Sequence, residues 1–339
     1  MQSRTSKIQK KTWSFEDYIQ SLARQLDEGI QKQQLLAKED RERVFASSRL
    51  SYIESLGFQP FEWQKRILNS KSRRLAIDAS RQAGKSTIIS SLPCHIAKYK
   101  PGSLSIVAAA TEDQAREDKN DKILGFMSMD PDYPQLVRDS DKQIELDNGS
   151  RIIVVPATDK SARGYSKPDL VILDEASRIE NIVYNSAIRP MFTNNPTGIL
   201  VMLSTPNGKE GFFHDIFTRQ DATWERYLIR TIWEPIMTGN GPDLVKYMDL
   251  EAFRAEQAAK GVYADYSPRH MSYEERIEDL MDMGERLFRQ EFCGEFVETE
   301  DSVFTYEDID RLFNSKAQGL TEGINAAPAA SIDFGGFLS

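Results

Sequence analysis

The segment 80–87 constrains the fold of this chain more than any other. It follows the apolar run 75–79 and precedes the small and apolar residues 88–92, which predicts a strand, a loop and a helix in succession. A loop in this context surrounds a phosphate group with backbone N–H groups at a helix N-terminus. The predicted nucleotide-binding residues of the loop are Ser80, Arg81, Gln82, Ala83, Gly84, Lys85, Ser86 and Thr87.

Two side chains of this loop have specific chemical tasks. Lys85 reaches the β- and γ-phosphates of ATP, and the Ser86 hydroxyl is a ligand for Mg²⁺. The standard pattern begins with a glycine, whereas Ala79 occupies that place here, so the match is imperfect. Taken alone, the segment is also compatible with an ordinary Gly-Lys-Ser turn.

A second apolar run, 170–173, ends in two adjacent carboxylates, Asp174 and Glu175. In a phosphate-loop ATPase the first carboxylate holds Mg²⁺ and the second polarises the attacking water as general base. An acidic turn at the end of a strand is common by itself. Because the pair follows the loop in the expected order and at the expected separation, we predict Asp174 as a metal ligand and Glu175 as the base.

Two further segments complete the predicted nucleotide site. The apolar run 200–203 ends in Ser204 and Thr205, hydroxyls that are able to report the state of the γ-phosphate, although Ser-Thr-Pro is also an ordinary strand end. Upstream of the first strand, Gln64 is the candidate for reading the adenine edge, because its amide offers a donor and an acceptor.

The pattern of the whole chain predicts an α/β fold of the P-loop NTPase type (ASCE type), with a mainly parallel central sheet flanked by helices. Residues 1–57 are predicted as an N-terminal helical arm, 58–211 as the ATPase core and 212–303 as a small helical lid subdomain with a segment that closes the ATPase region. Residues 304–330 are predicted as a linker, because 317–330 are rich in Gly, Ala and Pro. Residues 331–339 begin like another strand.

Composition excludes several classes of protein. An apolar share of 40% and a charged share of 28% are ordinary for a globular chain and do not indicate global disorder. The sequence contains no run of about 18 apolar residues, so it predicts no membrane-spanning helix. The net charge of −9 disfavours binding to DNA phosphates, but the charge is unevenly distributed. The segment 58–100 contains nine basic residues and only two acidic ones. The basic residues are Lys65, Arg66, Lys71, Arg73, Arg74, Arg81, Lys85, Lys98 and Lys100.

These motifs together resemble the large terminase subunit of tailed bacteriophages over residues 58–303. The loop has Arg81 at its second place and Gln82 at its third, which is similar to the variant loop of that family. The tripeptide 162–164 is similar to the family's arginine-glycine element, 204–208 to its coupling motif, and 289–297 to the segment that ends its ATPase region.

The resemblance implies an ATP-hydrolysing ring motor, docked on a portal protein, that drives double-stranded DNA into a preformed capsid with ATP and Mg²⁺ as cofactors. It implies a small terminase subunit as partner, and a location in the cytoplasm of the infected bacterial host and transiently on the procapsid, with no membrane. By the same resemblance Arg81 is a sensor at the phosphates of its own subunit, and Arg163 is an arginine finger reaching a neighbour's nucleotide, unless it is simply a surface arginine beside a glycine turn.

Family members also carry a C-terminal nuclease of ribonuclease-H-like fold. Asp333 matches the first of its metal-binding carboxylates, and 331–339 matches only the start of that domain. A two-metal site needs further carboxylates. We therefore expect this chain to be truncated, active as an ATPase and inactive as a nuclease.

Two other functions remain open from the sequence. A helicase-like ATPase that moves on nucleic acid shares the loop, the Asp-Glu pair and the upstream glutamine, but it needs a second motor domain for which the chain has little room. A nucleotide-gated DNA-binding scaffold needs no general base, so Glu175 argues against it.

Overall fold

A computed structural model describes residues 15–158, 164–193, 195–219, 223–246, 249–267 and 272–298 of this chain. The chain divides into two compact units, residues 1–297 and 298–339, and the description below concerns the first. Arg163 and Asp333, the predicted linker 304–330 and the predicted strand at 331–339 lie outside the described residues.

The centre of the first unit is a sheet of nine strands in the described part of the chain. Its order is β11-β8-β1-β7-β6-β2-β5-β4-β3, and the seven strands from β11 to β5 are parallel. The strands are β1 (Arg74–Ala79), β2 (Leu104–Ala109), β3 (Leu136–Ser140), β4 (Gln143–Leu146), β5 (Arg151–Pro156), β6 (Leu170–Asp174), β7 (Ile199–Ser204), β8 (Glu225–Arg230) and β11 (Val262–Tyr266). The prediction of a mainly parallel sheet is therefore confirmed.

Burial on both faces explains why the central strands are almost wholly apolar. Every residue of β2 and β6 is buried, as parallel strands covered by helices require. Alternate residues of β1 belong to different layers: Leu75 and Ile77 pack on one face, and Ala76 packs on the other. The carboxyl ends of β1, β6 and β7 consequently meet at one edge, where the polar residues 80, 174, 175 and 204 follow.

Helices cover both faces and extend from the unit. They are α1 (Phe15–Ser47), α2 (Arg49–Ser55), α3 (Glu62–Asn69), α4 (Lys85–Tyr99), α5 (Glu112–Glu117), α6 (Gly125–Met127), α7 (Asn181–Val183), α8 (Gly211–Thr218), α9 (Leu250–Ala259) and α10 (Tyr273–Cys293). A π-helical segment, Asp118–Leu124, connects α5 to α6, and a second one, Tyr184–Ile188, follows α7. Helix α1 lies within the predicted N-terminal helical arm, and its Leu22, Leu26 and Ile30 are exposed.

The prediction that 212–303 is helical is wrong in part, because four strands form within this region. Strand β8 joins the main sheet beside β1, and β11 pairs with the other side of β8. Strand β9 (Trp233–Thr238) pairs antiparallel with β10 (Gly241–Lys246). The polar composition of this region hides the strands, because only Tyr227, Leu228 and Ile229 form a buried apolar run in β8. Gly239 and Asn240 form the turn of the β9–β10 hairpin.

The helices of the described part of the chain include none with both the length and the apolar character that a membrane crossing requires.

Candidate nucleotide-binding and catalytic site

The loop between β1 and α4 is held by backbone hydrogen bonds that its amides donate to carbonyl groups of two distant segments. The Ser80 amide donates to the Ile229 carbonyl in β8 at 2.8 Å, and the Arg81 amide donates to the Glu291 carbonyl in α10 at 2.6 Å. Gln82 and Gly84 have positive φ angles of 62° and 102°, which bend the chain tightly before α4 begins. The loop therefore presents the N-terminus of α4, where the helix dipole favours an anion.

A cavity of about 420 Å³ opens beside this loop. It brings together seven of the predicted site residues: Arg81, Gln82, Lys85, Ser86, Asp174, Glu175 and Thr205. The other predicted residues of the described chain do not line the cavity: Gln64, Ser80, Ala83, Gly84, Thr87 and Ser204. Ala79, at the position that usually carries glycine, is fully buried at the end of β1, where its methyl group packs in the core.

Glu175 occupies an unusual backbone conformation at the end of β6. Its φ and ψ angles are 51° and 47°, in the left-handed region that residues other than glycine rarely adopt. Its Oε1 lies 3.1 Å from the Lys85 Nζ, and its Oε2 accepts a hydrogen bond of 3.2 Å from the Ser204 hydroxyl. A strained residue at this place is typical of a functional site, because neighbouring contacts must maintain it.

Asp174 is almost completely buried beside Glu175. Its Oδ1 accepts from the Glu175 amide at 3.0 Å, and its Oδ2 accepts from the Gln114 amide group at 2.8 Å. Burial, and secondarily the charge of Glu175, raises the pKa of the Asp174 carboxyl above its ordinary value. The charges of Lys122 and Lys85 and the hydrogen bond from Gln114 oppose this rise in the pKa.

Ser204 and Ser177 connect the third predicted segment to the general-base candidate. The two hydroxyls are 2.7 Å apart, and the Ser177 amide donates to the Ser204 Oγ at 3.2 Å. The Ser177 hydroxyl also donates to the Thr205 carbonyl at 2.7 Å. The end of β7 is thus joined to the turn after Glu175 by a continuous set of hydrogen bonds.

Gln64 lies against the loop and not in the cavity. It is 2% exposed; its Oε1 accepts from the Phe61 amide and its Nε2 donates to the Gly84 carbonyl, both at 2.8 Å. The carboxamide thus supports the glycine that precedes Lys85. Adenine reading by Gln64 stays a prediction, and the contacts point to a second task in holding the loop.

The donor set is suited to a magnesium ion that arrives with a nucleotide. Within the described ranges, no group of three or more His, Cys, Asp or Glu side chains is placed to hold a metal ion. Mg²⁺ commonly uses one or two protein oxygens together with substrate phosphates and water. Asp174 and Ser86 both line the cavity and supply oxygens of that kind.

The residues of the cavity that the sequence reasoning missed include four with charged or amide side chains: Gln114, Lys122, Arg178 and Glu291. Arg178 follows Glu175 by three residues, and its guanidinium lies 3.6 Å from the Glu291 carboxylate. Glu291 comes from the far end of α10, so no local pattern indicates its position. Gln114 and Lys122 share the spacing Gln114-x₃-Asp118-x₃-Lys122, which places all three on one side of a helix and was a usable signal.

A larger cleft of about 610 Å³ lies elsewhere and contains none of the motif residues. Arg74, Tyr184 and Arg189 are among the residues that line it, near the amino ends of β1 and β7. The basic stretch of the sequence is thus split between the two edges of the sheet, with Arg74 at one and Lys85 at the other. Size alone does not identify the functional site here; the convergence of the loop with Asp174 and Glu175 does.

Comparisons with known proteins agree with this geometry. The family model described as "Terminase large subunit, T4likevirus-type, N-terminal" matches residues 76–311. The large terminase subunit of Thermus phage G20c is 28% identical over 276 residues, which are 76% of this chain and 53% of that protein; the subunit of Thermus virus P23-45 gives the same values. This chain therefore spans about half the length of these curated relatives.

Among solved structures, the ATPase domain of the Thermus phage P74-26 large terminase has a similar fold. The TM-score is 0.52 at 22% sequence identity, over 73% of this chain and 97% of that one. The α/β P-loop fold with its mainly parallel sheet is therefore confirmed.

Proposed function

Because this chain belongs to the family of terminase large subunits, T4-like type, and covers its N-terminal region, we propose that it hydrolyses ATP to drive viral DNA packaging. The observation that carries the proposal is the position of Glu175, whose strained backbone holds its carboxylate between Lys85 and Ser204. A protein that only binds nucleotide has no need of a carboxylate maintained there at an energetic cost.

The roles of the cavity residues follow from their chemistry. The ammonium of Lys85 binds the β- and γ-phosphates, and these phosphates compete with Glu175 for it. Nucleotide binding thereby frees one carboxylate oxygen of Glu175 to accept a proton from the attacking water, while Ser204 keeps the other oxygen oriented. Ser86 and Asp174 would hold Mg²⁺, which offsets the charge that develops on the phosphate oxygens.

Two arginines are proposed to stabilise the charge on the transferring phosphoryl group. Arg81 lines the cavity, exposed and anchored only by its backbone in the described contacts, so its side chain is available to a phosphate. Arg163, for which the family resemblance implies the finger role, lies outside the described residues. A guanidinium at that place is worth about 10³ to 10⁵ in rate in known phosphoryl-transfer enzymes.

The finer functional assignment also rests on family membership. We propose that this chain acts on double-stranded DNA together with a portal protein and a small terminase subunit, as a ring assembled at the portal in the host cytoplasm. Thr205, joined through Ser177 to the Glu175 segment, is proposed to pass the nucleotide state to the rest of the motor.

The decisive experiment replaces Glu175 with Gln, which preserves size while removing the base. We expect ATP affinity to stay within a few-fold of the wild type and kcat to fall by about 10² to 10⁴, the usual contribution of a general base. Glu180→Gln, an exposed residue outside the cavity, is the control and should retain full activity. Hydrolysis is measured alone and with double-stranded DNA and portal-bearing procapsids, which should stimulate the wild type.

An unchanged hydrolysis rate in Glu175→Gln would contradict the catalytic assignment. Stimulation by single-stranded DNA with strand separation, and no response to procapsids, would instead favour a helicase-like motor.

A further inference from the structure

Three polar side chains of one helical run face Asp174. Gln114 comes from α5, and Asp118 and Lys122 come from the π-helical segment that continues it. The Lys122 Nζ lies 2.5 Å from the Asp118 Oδ1 and 3.8 Å from the Asp174 Oδ2. The ammonium therefore lies between the buried carboxylates of Asp118 and Asp174, and the exposed Glu117 carboxylate is also 3.8 Å from it.

The burial of this cluster makes its charges matter. Asp118 is fully buried, and its Oδ2 has no hydrogen-bond partner. The Lys122 side chain is 17% exposed and lines the nucleotide cavity. Charges in such partly buried surroundings interact more strongly and are screened less by salt than charges on the surface.

π-Helical turns inside helices occur frequently at functional sites, because they change which side chains point to one side. Here the π turn lies where the helix passes Asp174, and both Asp118 and Lys122 belong to it. Lys119, in the same turn, pairs instead with Asp139 at 2.5 Å and does not line the cavity. The geometry thus distinguishes two lysines of the same turn that are only three residues apart.

We propose that Lys122 sets the affinity of Asp174 for a divalent cation, and that Asp118 is the positioning residue that holds Lys122 there. The inference rests on the proposed function only in taking Asp174 as the metal-side carboxylate. A fixed ammonium beside Asp174 repels a dication, so the protein alone binds the cation weakly. The phosphates of a nucleotide add the negative charge that makes binding firm, which couples metal binding to nucleotide binding.

Asp118 and Lys122 should therefore act in opposite directions. Removing the ammonium leaves two carboxylates facing the cation, so affinity rises. Removing the Asp118 charge takes away the nearest carboxylate of Lys122 and leaves the ammonium with Asp174 and Glu117, each at 3.8 Å, so the affinity of Asp174 for the cation falls. A lysine that served only to neutralise Asp118 within the fold would have no such effect on metal binding.

The test measures binding of Mn²⁺, a spectroscopic substitute for Mg²⁺, to the full chain without nucleotide by electron paramagnetic resonance. We expect Lys122→Met to bind Mn²⁺ at least tenfold more tightly than the wild type, and Asp118→Asn to bind it at least threefold more weakly. Lys119→Met, which removes a lysine of the same turn that does not line the cavity, should match the wild type. In Lys122→Met, the gain in Mn²⁺ affinity on adding ADP should shrink.

Equal Mn²⁺ affinity in Lys122→Met and Lys119→Met would overturn the proposal, as would a shift of the same sign in Lys122→Met and Asp118→Asn. If Lys122→Met does not fold, Asp118→Asn decides: unchanged or tighter Mn²⁺ binding in it refutes the role of Lys122. Because these measurements require no hydrolysis, their failure is distinguishable from failure of the Glu175→Gln experiment.

Discussion

Gln64 offers the sharpest test of how the phosphate loop is held. Its carboxamide joins the Phe61 amide to the Gly84 carbonyl through two hydrogen bonds of 2.8 Å. Gly84 needs its positive φ of 102°, and a Cβ at that position would lie 3.0 Å from the Gln64 amide nitrogen. The loop and Gln64 are therefore in direct contact, and Gln64→Met removes both hydrogen bonds at similar side-chain length.

The expected loss of stability follows from the two backbone groups that lose their partner. A buried polar group left without a hydrogen bond costs about 1–3 kcal/mol. Phe61 and Gly84 are only partly buried, so water replaces part of each interaction and the lower end of that range applies. We expect Gln64→Met to lower the free energy of unfolding by about 2 kcal/mol, measured by urea denaturation.

Nucleotide binding then separates the two tasks assigned to Gln64. If the residue acts by holding the loop, Gln64→Met weakens ATP and GTP binding by the same factor, because both use the same phosphate contacts. Gln257→Met is the matched control: Gln257 is 8% exposed, and its described hydrogen bond is one of 3.3 Å to Glu256. The control should lose less than about 1 kcal/mol and leave nucleotide affinity unchanged.

A loss of ATP affinity with GTP affinity unchanged would refute the loop-holding explanation and establish adenine recognition. A stability change below that of Gln257→Met would show that the two hydrogen bonds contribute nothing measurable.

Two further predictions concern a buried acid and the proposed finger. Burial raises the pKa of the Asp78 carboxyl well above its usual range, although the charges of Arg230 and Lys85 oppose the shift. The folded protein therefore binds this proton more tightly than the unfolded chain, and the wild type should lose stability as pH rises above the unfolded-state pKa. Asp78→Asn removes this loss. The free energy of unfolding of the variant minus that of the wild type, measured by urea denaturation, should therefore be larger at about pH 8 than at about pH 4. A difference independent of pH would contradict the argument. If Arg163 acts on a neighbour's nucleotide, mixing Arg163→Ala with Glu175→Gln subunits should restore hydrolysis, because one kind of interface then has both groups; no recovery at any ratio would count against action between subunits.

The fold class and most of the site were predictable because their signals are contiguous in the chain. The phosphate loop needs a strand, a tight turn and a helix within about twenty residues, and the strand that ends in Asp174 and Glu175 carries its chemistry at its own end. Since carboxyl ends of parallel strands meet at one edge, the order of motifs alone predicted that Lys85, Asp174 and Thr205 share a cavity.

The prediction failed where polar composition concealed long-range pairing. Strand β8 has only a short apolar run and lies far from β1 in sequence, yet it pairs with β1 and supplies the Ile229 carbonyl to the loop. Tertiary burial therefore decided the strand conformation against the helical expectation for this region.

By itself, the sequence determined the phosphate loop, the acidic strand and the hydroxyl-bearing strand, since each of these depends on neighbours within a few residues. Only the tertiary structure placed Lys122 beside Asp174, the Glu291 carbonyl within hydrogen-bond distance of the Arg81 amide, and the Gln64 side chain against the Gly84 carbonyl. Such contacts join residues separated by 20 to 210 positions, and they exist because packing brings separate segments together. The physical reason is that local motifs specify which atoms do chemistry, whereas the charge and rigidity around those atoms come from elements that no local pattern connects.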